Sequence, residues 1–258
     1  MTTFDTVRHL ERREMDRLGA HLAQLDDQGW LEQSYCTEWR VYQVISHLAS
    51  GARILGGSLA QWFDGGPPMT SEEMQRIWAR ANALTPEQMH GEYRDAVEEY
   101  FARLDALPSD AGSHEVDMFL GRRPVRDMLL LRLHEVALHT WDVLAARDRT
   151  ARIPAEVVDV LRPIQLQLRA LRTPALLAGK RVRLRTTEGP WQAVLDFRGE
   201  KPVVTDAPAT EADLTVEGPD EELCRLLGGR HFLPGAAPHL TWQGGSYREV
   251  TALAIFGT

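Results

Sequence analysis

"LRLHEVALHTWDV" (131–143) is the stretch on which the fold turns. Its segment HEVALH (134–139) is one residue longer than H-E-x-x-H, the motif that places two zinc-binding histidines four apart on one helix face. His134 and His139 are five apart, about 500° around a helix of 3.6 residues per turn, so they diverge by roughly 140°. The four-residue step back from His139 lands instead on Glu135, and those two share a face. The stretch therefore reads as a helix that aims one carboxylate and one imidazole the same way.

Upstream, the helical period continues through the first two-thirds of the chain. "FDTVRHLERREMDRLGAHLAQL" (4–25) carries Val7, Leu10, Met15, Leu18, Leu22 and Leu25 at near-helical spacing. A second helix is predicted over 38–63, with Thr37 as its N-cap and with Gly56 and Gly57 weakening or kinking its far end. "GGPP" (65–68) reads as a loop and 71–84 as a shorter helix with an acidic first turn. A further helix over 85–107 has Thr85 as N-cap and Pro86 at its first position. Pro124 opens the helix that carries the quoted stretch, and one more follows Pro154 to about Leu171.

After Gly179 the period changes to two. "RVRLRTT" (181–187) alternates Val182 and Leu184 with arginines, and "WQAVLDF" (191–197) puts Trp191, Ala193, Leu195 and Phe197 on one face. "ADLTVEG" (212–218) is a third strand, "PDEELCRLLGG" (219–229) a helix, and "HLTWQG" (239–244) a strand before a terminal helix. The fold class expected is two-domain α+β. An up-and-down helical bundle spans 1–175 and a small α+β domain spans 176–258.

Composition sets the class of partner. The 258 residues are 43% hydrophobic and 26% charged, as in ordinary soluble globular proteins. A net charge of −8 disfavours nucleic acid or an anionic membrane surface as the main partner. No stretch approaches the roughly twenty apolar residues of a membrane span, and "MTTFDTVRHLERREM" is not a secretory leader. Two cysteines, Cys36 and Cys224, make no disulfide framework and carry no activating neighbour in sequence. A cytoplasmic protein, monomeric or homodimeric, is expected. G-x-S-x-G, G-x-G-x-x-G and G-x-x-x-x-G-K-[ST] are all absent, which argues against a hydrolase elbow, a dinucleotide fold and a P-loop.

In a four-helix bundle, ligands project into the core from facing helices. Glu135 and His139 would supply two, and His47 in "VYQVISHLAS" (41–50) is the natural third. Its face is shared by Val44 and Gly51, apolar or small residues that suit a core position. Two imidazoles and one carboxylate leave coordination positions open, as catalytic metal sites do. Spacing alone leaves the other reading standing: His47 as a hydrogen-bonded core residue, and Glu135 with His139 as a surface pair.

"CTEWRVYQVISHLAS" (36–50) and "HEVALHTWDVLAA" (134–146) together resemble the two ligand segments of the mycothiol-dependent maleylpyruvate isomerase family. That family belongs to the DinB-like metal-binding four-helix bundles. "ADLTVEGPDEELCRLLGGR" (212–230) is similar to its sterol-carrier-protein-like α+β domain. The resemblance implies a divalent metal, usually zinc, held by His47, Glu135 and His139, with mycothiol as cofactor or co-substrate. One departure is Gln43, where the family often has Asp.

A metal-bound thiol loses its proton near neutral pH, and the thiolate is the competent nucleophile. Addition to an activated double bond, rotation and expulsion of the thiol would be cis–trans isomerisation of a small electrophile. Retention of the adduct would be S-transfer. Asp142 shares the ligand face and would orient an imidazole, hold a thiol amine or brace the helix. Trp39 and Trp141 are candidates for a thiol-binding wall or for packing. Arg230 is a candidate bidentate clamp for a substrate carboxylate, with Arg225 its close rival. Two other functions fit the same ligands: a metal-assisted hydrolase, and a non-catalytic small-molecule-binding module braced by a structural metal.

Overall fold

The computed structural model describes residues 2–66, 69–118, 121–205, 211–230 and 236–255. The chain forms two compact units, Met1–Ala151 and Arg152–Thr258.

Four long helices build the first unit: α1 (Phe4–Leu22), α3 (Val41–Asp64), α5 (Pro86–Asp105) and α6 (Val125–Leu144). α1 packs on α6 and α3 on α5, while contacts of α1 with α5 and of α3 with α6 close the bundle. A one-turn helix α2 (Asp27–Trp30) and α4 (Ser71–Asn82), which packs on α3, complete the helical part. On α1 Val7, Leu10, Met15, Leu18 and Leu22 are buried as expected, and so are Glu11 and Glu14, whereas Leu25 lies past the end of the helix and is half-buried. α6 is the central helix. From Leu133 to Val143 every residue is buried except Glu135, a pattern that only a helix enclosed on all sides shows.

Two expectations change in this unit. α3 begins at Val41, so Thr37 is not its cap. Residues 33–40 form a turn instead, closed by a Gln33–Arg40 bridge, and the Gln33 side-chain amide donates to the carbonyls of Ser34, Cys36, Thr37 and Trp39. Gln43 accepts from the Arg40 backbone N–H at 2.9 Å and secures the first turn of α3. α3 also runs unbroken through Gly56 and Gly57; a Cβ on Gly57 would lie 2.2 Å from the Met69 methyl, so a glycine lets residue 69 approach. A hairpin of β1 (Glu115–Met118) and β2 (Gly121–Pro124) precedes α6, in a stretch to which the sequence reading assigns no element. The loop predicted at 65–68 falls within the described residues only at Gly65 and Gly66.

The second unit opens with α7 (Ala155–Arg169), followed by β3 (Arg181–Thr186), β4 (Gln192–Asp196), β5 (Val203–Thr205) and β6 (Leu214–Gly218). α8 (Asp220–Leu227), β7 (Thr241–Gln243) and α9 (Tyr247–Thr251) complete it. The sheet order is β5-β4-β3-β6-β7, with β3 and β6 parallel and the other pairs antiparallel. Register sets Val182 beside Leu195 and Leu214, and Leu184 beside Ala193 and Val216, so the apolar positions line up across three strands. α8 packs on β3 and β6, and α7 packs on α8, where the Gln165 amide donates to the Cys224 carbonyl at 2.9 Å. The helix after Pro154 thus belongs with the sheet, and the division falls at 151/152 instead of 175/176. The fold is α+β: a helical first unit and a sheet-containing second one.

Candidate metal centre

The turn at 33–40 is fastened to α6, because the Tyr35 N–H donates to the Asp142 carbonyl at 3.0 Å. Ser34 Oγ donates to the Trp39 carbonyl at 2.7 Å, and the Trp39 N–H donates to the Cys36 carbonyl at 2.9 Å. This rigid turn delivers Trp39 to two histidines from different helices. Its ring centroid lies 5.0 Å from that of His47 on α3 and 5.8 Å from that of His139 on α6, stacked on the latter. The two imidazoles are 5.1 Å apart, edge to face.

Glu135, on α6 with His139, pairs with His47. His47 Nε2 lies 2.7 Å from Glu135 Oε1, joining α3 to α6. Burial opposes ionisation of this carboxyl, but the His47 hydrogen bond and the charge of Arg132 outweigh it and hold its pKa well below the usual carboxylate range. Arg132 Nη1 donates to the other oxygen, Oε2, at 2.8 Å. On His139, Nδ1 donates to Asp142 Oδ2 at 2.9 Å. A carboxylate only accepts, so in the neutral ring the proton sits on Nδ1 and the lone pair on Nε2. Two imidazoles and an ionised carboxylate, with a fully buried carboxylate behind one ring, are the donor chemistry of a divalent-metal site that keeps positions open.

Among the described residues, the donors whose ligand atoms all lie within 4.8 Å of one another are Cys36, His139 and Asp142. His139 and Asp142 already bind each other there, which favours an orienting pair over two separate ligands. Cys36, however, stands closer to the centre than its sequence context indicated; its carbonyl is the acceptor around which the turn closes.

Trp141 is buried, packs edge-on against Tyr35 at 4.8 Å and donates its indole N–H to the Ala151 carbonyl at 3.1 Å. These are packing contacts, where a thiol-binding wall was one of two expectations. Arg230, in the second unit, donates from Nη1 to the Gly228 carbonyl at 2.6 Å. Arg225 is fully buried and pairs through two hydrogen bonds with Glu221, 2.8 and 2.7 Å, bracing α8 from within. Arg132 and Glu11 were missed in sequence; the signal available for Arg132 is its position three residues before Glu135, on the ligand face.

A family model of the mycothiol maleylpyruvate isomerase N-terminal domain matches residues 12–144, which include His47, Glu135 and His139. The chain belongs to this family. Two solved structures are similar along nearly their whole length, both crystal structures of the mycothiol-dependent maleylpyruvate isomerase, one of them of a histidine-to-alanine mutant. Each has a TM-score of 0.69 at 20% identity, over 94% of this chain and 95% of that one. At that identity the likeness establishes a shared fold. No curated protein matches the chain. Among the described residues, no helix is long and apolar enough to cross a membrane.

Proposed function

We propose that this member of the mycothiol maleylpyruvate isomerase family is a divalent-metal enzyme that uses mycothiol on a small electrophile. The reaction is cis–trans isomerisation, or transfer of the thiol where the adduct is retained. The observation that carries the proposal is the convergence of His47 and His139 beneath Trp39, with Glu135 ionised between the helices that bear them.

His47, Glu135 and His139 would hold the cation; the donor set suits zinc or iron, and the family resemblance favours zinc. When bound, it would lower the pKa of a thiol entering its open position and so present sulfur as thiolate at neutral pH. The chain's own residues do the rest. Asp142 keeps the His139 proton on Nδ1. Arg132 keeps Glu135 ionised and turned toward His47. Trp39 covers both imidazoles with an apolar face that excludes water from that side.

Metal analysis of the purified protein beside His47→Ala tests the centre. Thermal denaturation with and without mycothiol tests the thiol: a ligand that binds only the native state raises the midpoint by mass action. The expected result is a rise with mycothiol in metal-loaded protein and none after chelation, together with isomerisation of maleylpyruvate. A midpoint indifferent to mycothiol in metal-loaded protein overturns the proposal.

A further inference from the structure

Arg132 is among the largest fully buried side chains of the protein and reaches three helices. On its own helix, Nη1 donates to Glu135 Oε2 at 2.8 Å. Across to α3, Nη2 donates at 2.6 Å to the carbonyl of Leu48, the residue next to His47. Toward α1, Nε lies 3.9 Å from Glu11 Oε1, and neither atom makes a hydrogen bond. One guanidinium therefore grips both elements that carry the candidate ligands.

The sequence makes room for it. Gly51 sits one turn after His47 on α3, and a Cβ there would lie 2.5 Å from Arg132 Nη1. A side chain at that position would force the guanidinium to shift. The charge balance points the same way. Burial pushes the Glu11 carboxyl up to about 8, against the opposing pull of Arg132, so near neutral pH Glu11 largely keeps its proton. Arg132 is then left with Glu135 as its ionised partner.

The two oxygens of Glu135 are consequently divided: Oε2 belongs to Arg132, and Oε1 faces His47. An oxygen already bound to a guanidinium is a poor metal ligand. Large, oxygen-preferring cations gain from two-oxygen binding by a carboxylate, whereas zinc is satisfied with four ligands in all. We propose that Arg132 is a positioning residue that confines Glu135 to one-oxygen coordination and thereby biases the centre toward a small cation of low coordination number. The inference rests on the metal-centre assignment made above.

The test is the dissociation constant of Zn²⁺ and of Mn²⁺, each alone, by chelator competition at neutral pH. The proteins are the wild type, Arg132→Lys, Gly51→Ala, Glu11→Gln and His47→Ala, with circular dichroism to establish folding. Gly51→Ala keeps every charge and displaces only the guanidinium, so it serves where Arg132→Lys fails to fold. Expected are a Zn²⁺ affinity lower by about 10–100-fold in Gly51→Ala and Arg132→Lys, a smaller loss for Mn²⁺, and Glu11→Gln like the wild type. The Zn²⁺/Mn²⁺ preference is the readout that general loosening does not move. Equal losses for both metals, or none, overturn the inference. Undiminished Zn²⁺ binding by His47→Ala overturns the metal-centre assignment itself, which is a separate outcome.

Discussion

His47 Nε2 and Glu135 Oε1 meet at 2.7 Å across α3 and α6, though 88 residues separate them in the chain. Two groups with affinity for the same cation face each other, and the His139 ring stands 5.1 Å from that of His47. His47→Ala removes one of three donors while leaving Glu135 paired with Arg132. Its expected metal content after dialysis is a small fraction of the wild-type value, with the helical circular dichroism retained. Wild-type metal content in that variant would show that the contact is only a hydrogen bond between helices.

Asp142 should matter through the imidazole it holds. It is fully buried, and its Oδ2 fixes the His139 proton on Nδ1. Asp142→Asn can still offer an oxygen acceptor, whereas Asp142→Leu offers none. Metal affinity should fall by about 10-fold in the first and up to about 100-fold in the second. Nitrogen NMR of the imidazole should show the Nδ1–H form losing its dominance in the same order. Equal affinities in all three proteins would leave Asp142 a purely structural brace.

The parts of this molecule that were legible in sequence are those fixed locally. The apolar stripe of α1 is set by spacing alone, as is the change of period after Gly179. Glu135 and His139 come from helical arithmetic within one segment, and His47 from the face it shares with Val44 and Gly51. What was not legible depends on partners distant in the chain. Arg132 and Glu11 are residue types that are charged in water, and nothing near them in sequence says that both lie in the core. Thr37 has a capping residue's chemistry, yet Gln33 captures the surrounding carbonyls and ends the turn at Arg40. The helix after Pro154 looks the same whether it packs in the bundle or on α8, so its membership in the second unit could not be read.

The two threonines, Thr85 and Thr37, give a direct comparison. Thr85 caps α5: its side chain accepts from the Gln88 N–H, its own N–H donates to Gln88 Oε1, and Pro86 follows in the first turn. Thr85→Ala should cost about 1 kcal/mol, the usual worth of a cap. Thr37 is exposed and caps nothing, so Thr37→Ala should stay within about 0.5 kcal/mol of the wild type. Urea denaturation midpoints with unchanged slopes would measure both. Equal midpoints for the two variants would contradict the observed start of α3 or the cap of α5.

Glu11 should impose a pH dependence on stability that Glu11→Gln removes. Burial, only partly offset by Arg132, raises its carboxyl from 4.5 to about 8. Between those values the native chain binds a proton that the unfolded chain has released. The stabilisation is therefore complete below pH 4.5, declines as pH rises, and is lost above about 8. Its size is on the order of a few kcal/mol. Glutamine is uncharged at every pH, so the difference in unfolding free energy between wild type and Glu11→Gln isolates this group from all other titrations. Measured by urea denaturation from pH 5 to 9, that difference should shift steadily against the wild type. Parallel curves over the whole range would mean that Glu11 is ionised beside Arg132 throughout, and that the guanidinium serves two carboxylates instead of one.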